Sequence, residues 1–481
     1  MSATLLAGVL LANGSRADVV LRDDTIAAVA MPGTVAADGA ARVDGARRLL
    51  LPGLVNAHFH SSENWFKGRF DRLPLEPWML FSYPPRLAPE QTPDEVYLRT
   101  LLGACELLRG GCTTVVDFLY ELHGFTGATV DAVVRAYRDA GLRALVVLGM
   151  GDLAWAETVI LDETRLGARA RDALATDAPP SWEEWEGFAR DMVAAHHRPQ
   201  DGIAIGLGPS GPQRCSEAML AGCTALAREL ELCVHIHVLE TRMQAETGMR
   251  RWGTTLPARL DEIGFLGPEV CFEHAIWLTG DDVARMAGRD VRVAHNPVSN
   301  LKLGSGICDV RALRGAGISV GLGTDGASSN DGSDMLACVK TGALLHRGPD
   351  TDFESWLGAA DLWDMGTCGG AAATPWDGAL GQIERGAAAD LLLLDLDHRA
   401  FTPLHDPLRQ TVFTAPAGAI TDVFVAGRRV IADGAIAGFD ERARRADARD
   451  AGRAVTARFA AADARRTRRA AIRPQRADRV A

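Results

Sequence analysis

The chain has 481 residues, longer than one compact domain usually needs and enough for a large barrel with a smaller companion. Hydrophobic residues make up 47% and charged residues 23%, the balance of a soluble globular protein, and the net charge of −11 argues against a nucleic-acid surface over the whole chain. No run of about 18 apolar residues appears, Met1 to Gly8 has no basic start, and nine cysteines lie without a repeated spacing. Neither a membrane span nor a secretory leader is therefore expected, and thiols such as Cys112, Cys233 and Cys271 read as reduced groups of a cytoplasmic protein.

Short strands come first. Ala3 to Leu11, Ala17 to Leu21 and Thr25 to Ala30 are parted by the turn pairs Asn13-Gly14 and Asp23-Asp24. The same texture returns in Ala389 to Leu396 and Ile420 to Ile431, so residues 1–52 and 385–440 are expected to form one small β-sandwich domain built from both termini. Residues 53–384 alternate strand-like apolar runs with longer amphipathic segments. The runs are Leu54 to Ala57, Cys112 to Asp117, Ala144 to Leu148, Ile203 to Leu207, Cys233 to His237, Val270 to His274, Val291 to His295 and Ile318 to Asp325. Eight βα units predict an α/β fold, a distorted TIM (β/α)8 barrel. Residues 441–481 carry 13 arginines against five acids and read as a solvated helical or disordered tail rather than a binding arm.

In such a barrel the chemistry belongs at the carboxyl ends of the strands, and the polar residues fall there. His58 and His60 close the first run; residues i and i+2 share one side of a strand, so both imidazoles aim at one point. His237 ends the fifth run, with Glu240 three residues on, and His274, His295 and Asp325 end the sixth, seventh and eighth. Taken singly, each has a plainer explanation. A strand-end histidine is commonly just hydrogen-bonded, His235 lies one layer deeper as a satisfied interior group, and His295 and Asp325 sit in turn-rich segments. Together, His-x-His, a third histidine and a late aspartate make a metal site whose nitrogen and oxygen donors suit zinc, with iron also open.

Four motifs carry a resemblance. Pro52-Gly-Leu-Val-Asn-Ala-His-Phe-His60, His235-Ile-His-Val-Leu-Glu240, His295-Asn-Pro-Val-Ser-Asn300 with Lys302-Leu303, and Gly323-Thr-Asp-Gly-Ala327 with Ser329-Asn330 resemble the cytosine-deaminase-like branch of the amidohydrolase superfamily. That branch holds S-adenosylhomocysteine and methylthioadenosine deaminases, guanine deaminases and triazine hydrolases. The resemblance spans Leu5 to Gly434 and implies that His58, His60, His237 and Asp325 hold one divalent metal, with Glu240 and His274 as the proton-handling pair. Two-metal members bridge their ions through a carboxylated lysine on the fourth strand. Ile203 to Gly208 contains no lysine, so a single ion is expected.

The implied activity is hydrolytic release of ammonia from a nitrogen heterocycle: purine or adenosine-like, guanine-like, pterin or triazine. Removal of a substituted amine or chloride from a triazine-like ring, and hydrolysis of an amide or imine C–N bond, stay as alternatives. The full ligand set disfavours a non-catalytic binding protein. Glu240 is expected to protonate a ring nitrogen, Asp325 to move the water's proton to the departing amine, and His274 to orient the water or stabilise the oxyanion. Selectivity belongs to the loops. Glu63, Asn64, Trp65 and Trp78 after the first strand, Tyr120, Glu121 and His123 after the second, and His295, Ser329 and Asn330 further on are the residues expected to reach the substrate. The expected partner is a small heterocyclic molecule, with no nucleic acid and no membrane; a homodimer is implied by resemblance alone.

Overall fold

The computed structural model describes residues 3–35, 39–82, 90–121, 125–154, 157–158, 179–347 and 352–464; His123 and the end of the arginine-rich tail lie outside these. Five strands lead: β1 (Ala3–Leu11), β2 (Arg16–Arg22), β3 (Thr25–Ala30), β4 (Ala41–Asp44) and β5 (Arg48–Pro52). The barrel strands follow as β6 (Leu54–Phe59), β7 (Cys112–Leu119), β8 (Arg143–Met150), β9 (Ile203–Pro209), β10 (Val234–Val238), β11 (Val270–His274), β12 (Arg292–His295) and β13 (Val320–Leu322). The chain returns through β14 (Leu391–Asp395), β15 (Ile420–Val425), β16 (Arg428–Ala432) and β17 (Ala435–Ile436).

The strands from the two ends form one nine-stranded sheet in the order β17-β16-β15-β14-β5-β1-β2-β3, with β4 on β1. The halves join where β14 runs antiparallel to β5, Leu392 opposite Leu51. The four leucines of β14 alternate between two cores: Leu391 and Leu393 pack with Leu6, Val19 and Leu50 in the small domain, and Leu392 and Leu394 pack into the barrel's outer core. Burial on both faces explains why this strand reads as an unbroken apolar run. The run expected from Ile420 to Ile431 is two strands, because Ala426 (φ 47°) and Gly427 (φ 72°) turn the chain back in left-handed conformations.

The eight barrel strands are hydrogen-bonded in sequence order, β6 to β13, and each neighbouring pair is parallel. The ladder stays open between β13 and β6. Side chains and one backbone bond close that seam. Asn56 Oδ1 accepts from Thr324 N at 3.0 Å, Asn56 Nδ2 donates to Thr324 Oγ1 at 2.7 Å, and Asp325 N donates to the His58 carbonyl at 2.9 Å. The eighth strand is shorter than its apolar run because the chain leaves the ladder at Gly323-Thr324 to make these contacts.

The start of the arginine-rich segment is not a solvated tail. Glu441–Ala464 is a helix whose Ala448, Val455 and Phe459 are buried. Phe459 packs on Phe66 with ring centroids 4.9 Å apart, and Arg458 Nη2 lies 2.7 Å from Glu95 Oε2. The helix comes so close to Trp65 that a Cβ at Gly452 would lie 3.0 Å from its ring. Among the described residues no helix is long and apolar enough to cross a membrane. Phe459→Ala is expected to lower unfolding free energy by about 3 kcal/mol, read from the urea midpoint; an unchanged midpoint would show that the helix does not dock.

Candidate active site

The site lies at the seam, where β6, β10, β11 and the turn after β13 bring their ends together. His58 and His60 leave β6 with ring centroids 4.6 Å apart, and His237 of β10 lies 4.9 Å from His58 and 5.5 Å from His60, centroid to centroid. Asp325 Oδ1 stands 3.2 Å from His60 Nε2 and 3.6 Å from His58 Nε2. Asp325 reaches that position in the left-handed conformation, φ 60°, and His274 at the end of β11 has φ 69°. Non-glycine residues are uncommon in this region, and such backbone strain collects where function fixes a side chain.

Three of the four imidazoles are held from behind. His60 Nδ1 lies 2.6 Å from the Phe118 carbonyl and its Nε2 faces Asp325; burial opposes a charge on this ring, but the contact with Asp325 outweighs it and raises the pKa to about 9. His274 Nδ1 lies 2.8 Å from Asn300 Oδ1, and its Nε2 points to Glu240 Oε2 at 3.8 Å and Asp325 Oδ2 at 4.0 Å. His58 Nδ1 lies 3.2 Å from Glu273 Oε2, and the other oxygen of Glu273 meets His235 Nδ1 at 2.7 Å. His235 also meets the Ala373 carbonyl through Nε2 at 2.9 Å, the satisfied interior residue expected of it. Glu273 was not foreseen. The signal was there: it stands in an apolar strand two residues after Cys271, on the same strand face, and a buried carboxylate needs a partner.

The donor atoms fit a divalent cation. One ligand atom each from His58, His60 and Asp325 lie within 4.8 Å of one another, as do those from His58, His237 and His274. Nε2 of His58 and Nδ1 of His237 are buried without a hydrogen-bond partner, a cost that a coordinated ion removes. Burial lowers the pKa of His58, His237 and His274, keeping them in the neutral form that ligates metals. Burial opposes a charge on Glu273, yet His58 and His235 outweigh it and hold the carboxyl at about 2. Glu240 goes the other way: burial first, then the charges of Asp325 and Glu76, push it well above the ordinary carboxylate range.

A cavity of about 240 Å³ opens above these groups. Of the residues expected to reach a substrate, Glu63, Trp78, Tyr120, Glu121, His295, Ser329, Asn64, Trp65 and Asn330 divide into two sets. Glu63, Trp78, Tyr120, Glu121 and Ser329 line the cavity. Glu63 is fully buried and its Oε2 accepts from the backbone and hydroxyl of Ser328 (2.9 Å each) and of Ser329 (3.2 and 3.3 Å), tying the first loop to the last. A Cβ on Gly326 would overlap that carboxylate. Glu121 pairs with the buried Arg99. The other set lies away from the lining. Asn64 donates to the Arg99 carbonyl at 2.8 Å, and Trp65 packs on the C-terminal helix with its Nε1 on Gln91. Asn330 donates to the Thr324 carbonyl at 2.7 Å, and His295 is buried with its Nε2 at 3.4 Å from His346. The lining also includes Ser210, Gln213 and Arg214 in the short turn after β9 and Gln244 in the first turn of the helix Arg242–Trp252, none of which the sequence singled out.

A model of the amidohydrolase family matches residues 49–430. A 5'-deoxyadenosine deaminase of Methanothermobacter thermautotrophicus is 35% identical over 430 residues, covering 89% of this chain and 92% of its own. A 5-methylthioadenosine/S-adenosylhomocysteine deaminase of Syntrophomonas wolfei subsp. wolfei is 32% identical over 412 residues, 85% and 88% of the two chains. The crystal structure of an adenosine deaminase from Xanthomonas campestris with bound zinc superposes with a TM-score of 0.81 at 29% identity, over 95% of this chain and 98% of that one.

Glu273→Gln removes the charge that orients His58. Divalent-ion affinity should fall about 10- to 100-fold, read by competition with a chromogenic chelator; unchanged affinity would show that His58 is oriented by other means.

Proposed function

The chain belongs to the amidohydrolase family and is a hydrolase of C–N bonds other than peptide bonds, and from that premise we propose its mechanism: release of ammonia from an aminated heterocycle of purine size, with one zinc ion held by His58, His60, His237 and Asp325. The observation that carries this proposal is the convergence of Glu240 Oε2 and Asp325 Oδ2 on His274 Nε2, at 3.8 and 4.0 Å, on one cavity wall. The names of the relatives, all deaminases of adenosine derivatives, support a flat nitrogen ring as substrate. The absence of lysine from β9 supports a single ion. All nine cysteines are free, which supports a reducing compartment, the cytoplasm.

Bound in this set, a divalent ion lowers the pKa of water from about 15.7 toward 7 and so supplies the nucleophile. Glu240 donates its proton to the ring nitrogen beside the attacked carbon, which lets that nitrogen accept electron density. Asp325 takes the water's proton and passes it to the departing amine. Ser299 donates to Asp325 Oδ2 and Gly326 N to Oδ1 at 2.7 Å, so its orientation is fixed before substrate arrives. His274, locked by Asn300, faces the same point and stabilises the oxygen as charge develops on it.

Ammonia release from a panel of aminopurines, adenosines, aminopteridines and aminotriazines tests the reading, with metal analysis beside it. About one zinc per chain is expected; two ions per chain would overturn the single-metal assignment. Glu240→Gln should lower kcat about 10²- to 10⁴-fold, and Asp325→Asn should abolish turnover. A Glu240→Gln enzyme with near-native kcat would remove the general acid from the scheme.

A further inference from the structure

We propose that Glu76 is a positioning residue: its carboxylate latches the helix Leu75–Ser82, one wall of the cavity, to the turn that carries Glu240, and thereby sets where Glu240 meets the substrate. The inference rests on the heterocycle deaminase reading, in which Glu240 delivers the proton, and adds to it a residue outside the cavity lining.

The wall helix is stiff and well seated. The chain enters it through Leu73-Pro-Leu-Glu-Pro-Trp78. Pro77 falls in the first turn, where a missing N–H costs no helical bond, and Trp78 N donates to the Pro74 carbonyl at 2.9 Å. Leu75 and Trp78 are buried against Leu303, and Ser82 Oγ lies 3.2 Å from Ser328 Oγ. Leu75, Trp78 and Met79 line the cavity. Glu76 is directed elsewhere. An acid in the first turn of a helix is ordinarily left in water, where it offsets the helix dipole. This one is half-buried, and its Oε1 accepts from Thr241 Oγ1 at 2.5 Å.

Thr241 is the residue after Glu240, and the turn there needs support. β10 ends at Val238, and Leu239 takes a left-handed φ of 55°, which carries Glu240 off the strand. The near end of the turn is held at the Leu239 carbonyl, which accepts from Ile276 N at 3.1 Å and Trp277 N at 3.2 Å. The far end depends on side chains. Glu240 N donates to Gln244 Oε1 at 2.8 Å. The Thr241 hydroxyl caps the helix Arg242–Trp252, accepting from Gln244 N at 3.4 Å, and its one proton goes to Glu76. Glu240 and Gln244 line the cavity; among the described lining residues Glu76 and Thr241 do not appear. The pair therefore acts on a substrate only through the turn it holds, and what the latch needs from Glu76 is an acceptor oxygen.

Steady-state ammonia release is measured on the best substrate of the aminopurine, adenosine, aminopteridine and aminotriazine panel. The plateau of the pH–rate profile is used, where removing a charge near Glu240 does not alter its protonation. Glu76→Ala is expected to lower kcat about 10²-fold, the cost of a misplaced reacting group, with KM little changed. Thr241→Val should do the same from the other partner, and the two losses should not add in the double variant. Glu76→Gln keeps the acceptor and should recover most of kcat. In a Glu240→Gln background Glu76→Ala should cost little more, because the group it positions is already gone. Hydrogen exchange of the zinc-loaded chain reads the latch without turnover: Glu76→Ala and Thr241→Val should speed exchange of amides 240–244, and Glu76→Gln should not. A native kcat in Glu76→Ala, a Glu76→Gln enzyme as slow as Glu76→Ala, full additivity with Glu240→Gln, or unchanged exchange at 240–244 would each overturn the proposal. If no ring of the panel releases ammonia, the deaminase reading falls and the exchange pattern alone decides the latch.

Discussion

The barrel's first and last strands meet without a ladder, and the site depends on how that gap is closed. Asn56 bridges to Thr324 with both ends of its amide, and the Asp325 N–H takes the His58 carbonyl. These bonds fix the aspartate against a histidine pair more than 260 positions away in the chain. Had β13 continued to pair with β6, Asp325 would extend along the strand and its carboxylate would follow the strand's alternation. Leaving the ladder at Gly323 frees the backbone to turn left-handed at Asp325 and face His60. Asn56 and Thr324 thereby satisfy one another across the gap that the ladder leaves.

The electrostatics follow from crowding. Burial alone would strip charge from every ionisable group here, and the carboxyls escape it to different extents according to their neighbours. Glu273 sits beneath the site between two imidazoles, which hold its carboxyl at about 2 against burial; Glu240 sits beside other negative charges, and burial with those charges pushes it well above the ordinary carboxylate range. Asp325, with His58 and His60 beside it, is driven below its ordinary value against the cost of burial. Three carboxyls within one barrel mouth are thus pushed in different directions by their neighbours.

Much of this was legible in the chain because strands write their geometry at period two and the barrel writes its chemistry at strand ends. His58, His60, His237 and His274 could be placed by those two rules. Glu273 was hidden by its position one residue before a histidine that draws the attention, although alternation puts it on the inner face with Cys271. The loop after β6 was not legible. Trp65 and Trp78 look alike in sequence, both aromatic and both in a polar stretch, and only the docking of a helix from the far end of the chain turns one of them away from the cavity. The same helix was read as solvated from its charge. Its arginines do lie outward, but Val455 and Phe459 on one side suffice to seat it.

That helix, Glu441–Ala464, lies beyond the span shared with the family model, yet it rests on Phe66 at the end of the short 3-10 helix Ser61–Phe66. The 3-10 helix begins next to His60 and carries Glu63, which grips the loop that follows Asp325. A free-energy coupling between two sites is reciprocal. Whatever stabilisation the helix lends to the ordered 3-10 segment is returned when a ligand fills the cavity. Ligand in the cavity and protection of this helix from amide exchange are therefore linked through the 3-10 segment between them, and the helix bears on a chemistry that none of its own side chains touches.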